Sequence, residues 1–134
     1  MTRFVIGPDV ALYLARDGAV IAEEHQLLAP TLLRSHVLSL LYQAVRRGDL
    51  TQADADRQLD YLRGLRIRLL GDRVLQRAAW RLAEQLGWDD TFDAEYVALA
   101  RLQADAFVTL DAGLATAVQG LVTIAEPRVL LGDR

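Results

Sequence analysis

Apolar and polar positions along this chain follow two rhythms, one of short compact runs and one of helical spacing, and the two take turns. Phe4-Val5-Ile6 is a compact apolar run that breaks at Gly7-Pro8, and "PDVALYLARDG" behind it sets Val10, Leu12, Tyr13 and Leu14 on a short helix that closes near Gly18. "LLAPTLLRSHVLSLLYQAVRRGDL" carries Pro30 and Thr31 as a start signal, then Leu33, Val37, Leu40, Leu41 and Ala44 at helical spacing up to a stop at Gly48. Thr51 with Asp54 forms a weak capping pattern ahead of a further helix, "ADADRQLDYLRG". "LRIRLLGD" alternates apolar and basic residues and ends in a glycine, which suits a second strand. Asp72 can cap the helix "RVLQRAAWRLAEQLG" and Gly87 can end it. "WDDTFDAEYVALARLQ" predicts another helix, with an acidic first turn that suits the helix dipole. "DAFVTL" is a third strand, "DAGLATAVQG" a short helix and "LVTIA" a last strand.

Strands alternating with helices imply a parallel sheet covered on both faces. The expected fold is α/β, a three-layer sandwich whose central, mainly parallel sheet of four to five strands is flanked by helices. No linker, internal repeat or low-complexity stretch divides the chain, so residues 1–134 are expected to form a single domain.

Composition narrows the chemistry. The chain has no Cys, which removes disulfides, zinc-thiolate sites and cysteine nucleophiles, and only two histidines, His25 and His36, so metal chemistry falls mainly to oxygen ligands. A net charge of -3 means that any nucleic-acid binding must rest on local basicity. All 15 basic residues are Arg, which fits codon bias in a GC-rich genome and, secondarily, bidentate contact with phosphate. The Met1-Thr2-Arg3 opening lacks a leader pattern and no apolar run approaches a membrane span, so a cytoplasmic location without membrane contact is expected.

Ligands of open parallel sheets bind outside the carboxyl ends of the strands, near the point where strand order reverses. Asp9 follows the first strand, Asp111 follows "FVTL", and Asp93 lies in the first turn of "TFDAEYVALA", able to project from the same edge. Each can equally be a helix cap. Three converging carboxylates without histidines would suit Mg²⁺ or Mn²⁺, hard ions that keep several waters and accept phosphate oxygens. Such an ion can activate a water for phosphodiester hydrolysis. Glu95 is a further candidate ligand, whereas Asp89 and Asp90 belong with the solvated helix start.

These residues carry a resemblance. "FDAEYVALARLQADAFVTLDAGLATA" has an Asp opening a helix, a Tyr among small residues, a strand, then Thr-x-Asp with a Leu three residues on; "LLAPTLLRSHVLSLLYQAVRRGDL" has an Ala-Pro turn leading into a helix. Together with "FVIGPDVALYL" they resemble PIN-domain ribonucleases, especially the VapC-like toxins of prokaryotic toxin-antitoxin pairs, over essentially the full length. The resemblance implies a divalent-metal-dependent endoribonuclease with four acids. Asp93 and Asp111 match two of those positions. The opening acid is expected where this chain has Gly7, in a pattern of Asp, any residue, then Ser, Thr or Asn; here Gly7-Pro8-Asp9 puts the acid at the third place. The second acid, a Glu, is expected where His36 stands. Two readings follow. Asp9 still reaches the ion while His36 acts as a nitrogen ligand or proton-transfer group, or the site has lost charge and the domain binds RNA or a protein without cutting; His36 reads equally as a core histidine beside Val37 and Leu40.

RNA would need cations near the carboxylates. Arg34, Arg66 and Arg68 are the candidates, with Arg73 and the Arg46-Arg47 pair behind them, each with a bland reading as a solvated or helix-terminal charge. "VLSLLYQAV" overfills one core-facing stripe with Leu38, Leu40, Leu41 and Tyr42, which predicts either deep burial or contact with another chain. The resemblance implies a homodimer and an antitoxin protein as partner. A flavodoxin-like or receiver-type domain is a third alternative, weakened by the absence of Lys and decided by strand order.

Overall fold

The computed structural model describes residues 1–132. Five strands form one sheet, all parallel: β1 (Thr2–Ile6), β2 (His25–Pro30), β3 (Ile67–Leu70), β4 (Ala106–Val108) and β5 (Ile124–Ala125), in the order β3-β2-β1-β4-β5. The helices are α1 (Pro8–Asp17), α2 (Leu32–Arg46), α3 (Gln52–Gly64), α4 (Arg73–Leu86), α5 (Phe92–Gln103) and α6 (Ala112–Ala117), and a 3₁₀ turn follows at Pro127–Leu130. The expected α/β fold, a parallel sheet flanked by helices, is the fold found. The order also decides against the flavodoxin-like alternative, whose first strand lies between the second and third; here β1 lies between β2 and β4.

Chain direction fixes the layers. Parallel strands are joined by right-handed crossovers, so the helices that carry the chain outward from β1 to β2 to β3 fall on one face. Those that bring it back to β4 and on to β5 fall on the other. Thus α1, α2 and α3 pack on one another. Covered on both sides, β1 from Phe4 onward and the whole of β4 are apolar: Val5, Ile6 and Val108 are fully buried. Helix α5 is sandwiched between the sheet and α4, and accordingly Ala94, Tyr96, Val97, Ala98, Leu99 and Ala100 are all buried; its alanines let α4 come close. Helix α4 keeps a single apolar stripe, Leu75, Ala79, Leu82 and Ala83.

The helix boundaries follow the capping logic of the sequence. Thr51 accepts the Asp54 amide, Asp72 accepts the Leu75 amide, and Gly18 and Gly87 end α1 and α4 in the left-handed conformation that glycine adopts without strain. One strand departs from the expectation. "HQLLAP" is β2, not the approach to a helix: Leu27, Leu28 and Ala29 are buried between β1 and β3, and Pro30 ends the strand opposite Leu70. Its polar beginning and three-residue apolar centre give no periodicity to read, and Pro30 sits where a strand's last residue and a helix's first look alike.

Candidate functional site

β1 and β4 are neighbours, yet their outgoing connections leave to opposite faces, α1 to one and α6 to the other. A crevice opens there, at the carboxyl ends of the strands. A cavity of about 150 Å³ occupies it, lined by Gly7, Pro8, Asp9, Asp93, Tyr96, Thr109 and Asp111 among others. Asp9, Asp93 and Asp111 thus line one cavity.

Each is held differently. Pro8 opens α1 and puts Asp9 in its first turn. The Asp9 carboxylate is tied down by three donors: the Val10 amide to Oδ1 (2.8 Å), and the Leu110 amide (2.9 Å) and Thr109 hydroxyl (3.2 Å) to Oδ2. It thereby bridges the start of α1 to the end of β4. Asp111 caps α6, its Oδ1 accepting the Leu114 amide at 3.0 Å, and its second oxygen takes no part in that cap. Asp93, in the first turn of α5, enters no ion pair among the described residues. Burial first, then the carboxylates of Asp111 and Asp90, push the Asp93 carboxyl above its ordinary value; His36 pulls it back, and Asp9 adds a smaller rise. An anion crowded by other anions is the setting that a cation relieves.

Three residues not singled out as candidates prove central to this geometry. Thr109, buried at the end of β4, donates to Asp9 and accepts the Asp111 amide (3.1 Å), so one hydroxyl sets the spacing of two carboxylates. The Thr-x-Asp pattern contained that signal. Tyr96 lines the cavity, and its hydroxyl lies 3.1 Å from His36 Nδ1. Burial, then Glu95, Asp93 and Asp9, raise the Tyr96 phenol well above its ordinary value, so it stays protonated. Gly7 lines the same cavity and is buried.

The other candidates fall elsewhere. His36 is half-buried on α2, stacked on Tyr96 and edge-on to Phe92; it meets the cavity through Tyr96 and is not among the residues that line it. Glu95 is half-buried and its carboxyl is raised by burial and lowered by His36. Asp90 accepts the Phe92 amide at the start of α5. Arg34 lines an apolar groove between α2, α3 and β3, with Leu33, Val37 and Leu62. Arg66 and Arg68 border a cavity at the amino end of the sheet, with Met1 and His25. Arg73 begins an exposed stripe on α4 with Arg77 and Arg81, beside Trp80.

The donor set would suit only a hard, largely hydrated divalent ion such as Mg²⁺ or Mn²⁺. No group of three or more Asp, Glu, His or Cys is drawn close enough to cage an ion among the described residues. Mg²⁺, however, is commonly held by one or two carboxylates and keeps waters for the rest of its shell. Asp93 and the second oxygen of Asp111 match that pattern, and Asp9 lines the same cavity with both its oxygens engaged by donors.

Comparison with known proteins adds the fold. No family model and no curated protein matches the chain. Similar solved structures include PAE2754 from Pyrobaculum aerophilum, at TM-score 0.70 and 20% identity over 96% of this chain and 92% of that one, and VapBC2 from Rickettsia felis bound to a DNA fragment from their promoter, at TM-score 0.62 and 14% identity over 92% and 98%. The likeness is one of fold, and the fold is PIN-like.

Proposed function

We propose that this protein is a divalent-metal-dependent endoribonuclease of PIN type that hydrolyses RNA phosphodiesters, acting as a toxin-type enzyme. The observation that carries the reading is the gathering of Asp9, Asp93 and Asp111 around one cavity at the β1/β4 crevice. A bound Mg²⁺ or Mn²⁺ would lower the pKa of a water and neutralise charge on the phosphoryl group. Asp93 and Asp111 would hold the ion, and Asp9, immobilised by its three donors, lines the same cavity. Tyr96 presents a protonated phenol to the cavity, and His36 orients that phenol from behind. In this reading His36 is a positioning residue.

RNA is the proposed substrate, with Arg34 as the backbone contact nearest in the fold to the cavity edge, whereas Arg66 and Arg68 stand at the amino end of the sheet, opposite the carboxylates, and would meet only RNA that wraps past that edge. The fold neighbour named VapBC2 supports a small antitoxin protein as partner. Exposed Leu38, Leu40 and Tyr42 on α2 support a homodimer. No helix among the described residues is long and apolar enough to cross a membrane, which is consistent with a cytoplasmic protein.

A second reading has its own support. Asp9 already satisfies three donors and no three-residue cage forms among the described residues, which favours a PIN-like module that binds RNA or a protein without cutting it. Incubation of the purified protein with structured and unstructured RNA, under Mg²⁺ and Mn²⁺ separately, separates the two. Metal-dependent cleavage lost in Asp93→Asn is the expected outcome. Absence of cleavage under either metal, with Asp93→Asn indistinguishable from wild type in RNA binding, leaves the binding module.

A further inference from the structure

The acid expected at residue 7 is absent, and the structure offers a reason why a glycine in particular replaces it. Gly7 has φ −79° and ψ 170°, ordinary extended backbone that any residue adopts, so the conformation does not call for glycine. Packing on one side does not call for it either. A Cβ built on Gly7 would stand 3.8 Å from the Phe107 ring, an ordinary contact. The one atom it could not tolerate is Asp9 Oδ1, at 2.7 Å.

We infer that residues 7 and 9 share a single carboxylate seat at the carboxyl end of β1: Asp9 folds back to fill the space where a side chain on residue 7 would begin, and Gly7 is a positioning residue whose lack of a side chain keeps that space open. The carboxylate has therefore moved in sequence while staying beside the same backbone position. What secures it there is the three-donor cradle. Oδ1 faces Gly7 and takes the Val10 amide, while Oδ2 reaches across the crevice to Leu110 and Thr109. Because the obstructing atom is the end of a short side chain, a methyl group at residue 7 can be accommodated by swinging the carboxylate away. The protein then still folds, but Asp9 leaves its donors. The seat is geometric and independent of any ion; its use at a metal site rests on the ribonuclease reading.

A double-mutant cycle tests this, using wild type, Gly7→Ala, Asp9→Ala and the double variant without metal. The Leu110 amide in a ¹⁵N–¹H spectrum reports directly on the Asp9 bond. Gly7→Ala is expected to move that amide in the same direction as Asp9→Ala, and to move it no further once Asp9 is already Ala. An unmoved Leu110 amide in Gly7→Ala, or an equal displacement in both backgrounds, overturns the shared seat. Mn²⁺ binding, followed by its electron paramagnetic resonance signal, supplies the second readout. Gly7→Ala and Asp9→Ser should each weaken binding roughly 10- to 100-fold, as loss of an orienting contact at a metal site does, and Gly7→Asp/Asp9→Ser should restore it. A double variant as weak as Asp9→Ser alone overturns the exchange. Wild-type protein that binds no Mn²⁺ defeats the metal reading of the site, and the amide cycle then decides the seat by itself.

Discussion

At Asp93 the pH dependence has a definite sign. Its carboxyl is raised above 3.8 by burial and by neighbouring acids, so the folded protein holds this proton more tightly than the unfolded chain. Between 3.8 and the raised folded value the native state binds more protons, and stability falls as pH rises through that window and stays lower above it. Asp93→Asn removes the penalty. The variant is expected to melt roughly 1–3 °C above wild type at neutral pH, a modest gain because Asp93 sits at the exposed rim. The difference should disappear in strongly acidic solution, where both side chains are neutral. Thermal melts of the two proteins across pH 3–8, with chelator present, check this. Stabilisation accompanied by loss of RNA cleavage would separate a residue kept for chemistry from one kept for folding.

Among the elements, α6 is the one whose site role and structural role coincide. Asp111 supplies both its cap and one of the cavity's carboxylates. Asp111→Asn keeps the capping oxygen and removes the charge, whereas Asp111→Ala removes both. Urea unfolding is expected to show Asp111→Asn near wild type and Asp111→Ala lower by about 1 kcal/mol, while both lose cleavage. The same duality explains how much of the site was legible in the sequence. Asp9, Asp93 and Asp111 each follow a readable strand or open a readable helix, so their common edge could be derived. The Thr-x-Asp pattern marked Thr109 but not its bridge to Asp9, which lies 100 residues away in sequence, and nothing marked the role of Gly7, which is a clash avoided with the Asp9 side chain. β2 escaped for a local reason: three apolar residues before a proline carry no period, and its identity as a strand comes from β1 and β3 on either side. The short β5 was legible in kind but not in extent, only Ile124–Ala125 of "LVTIA" being paired.

For the molecule as a whole, α2 presents the exposed residues that its apolar excess foretold. Leu41 points inward at 4% exposure, while Leu38 and Tyr42 stand at 55% and 63%. On the proposed homodimer they meet a second copy. Light scattering should then return about twice the 14.9 kDa chain mass, and Leu38→Glu with Tyr42→Glu should return the single-chain mass with an unchanged circular dichroism spectrum. A single-chain mass for the wild type would free this face for another protein.

The seat shared by residues 7 and 9 also has a historical side. A chain with the acid at residue 7 and a small polar residue at 9 cannot become this one by a single replacement. Every stepwise route passes through an ancestor with two acids competing for one place or with none. On the proposed seat either intermediate would crowd or empty the crevice, so the two arrangements would be linked only through a step that costs the site its single carboxylate or doubles it. Chains of the present kind should then descend from few crossings and keep Gly7 and Asp9 together, and a pattern search that demands an acid at the seventh position would pass over all of them.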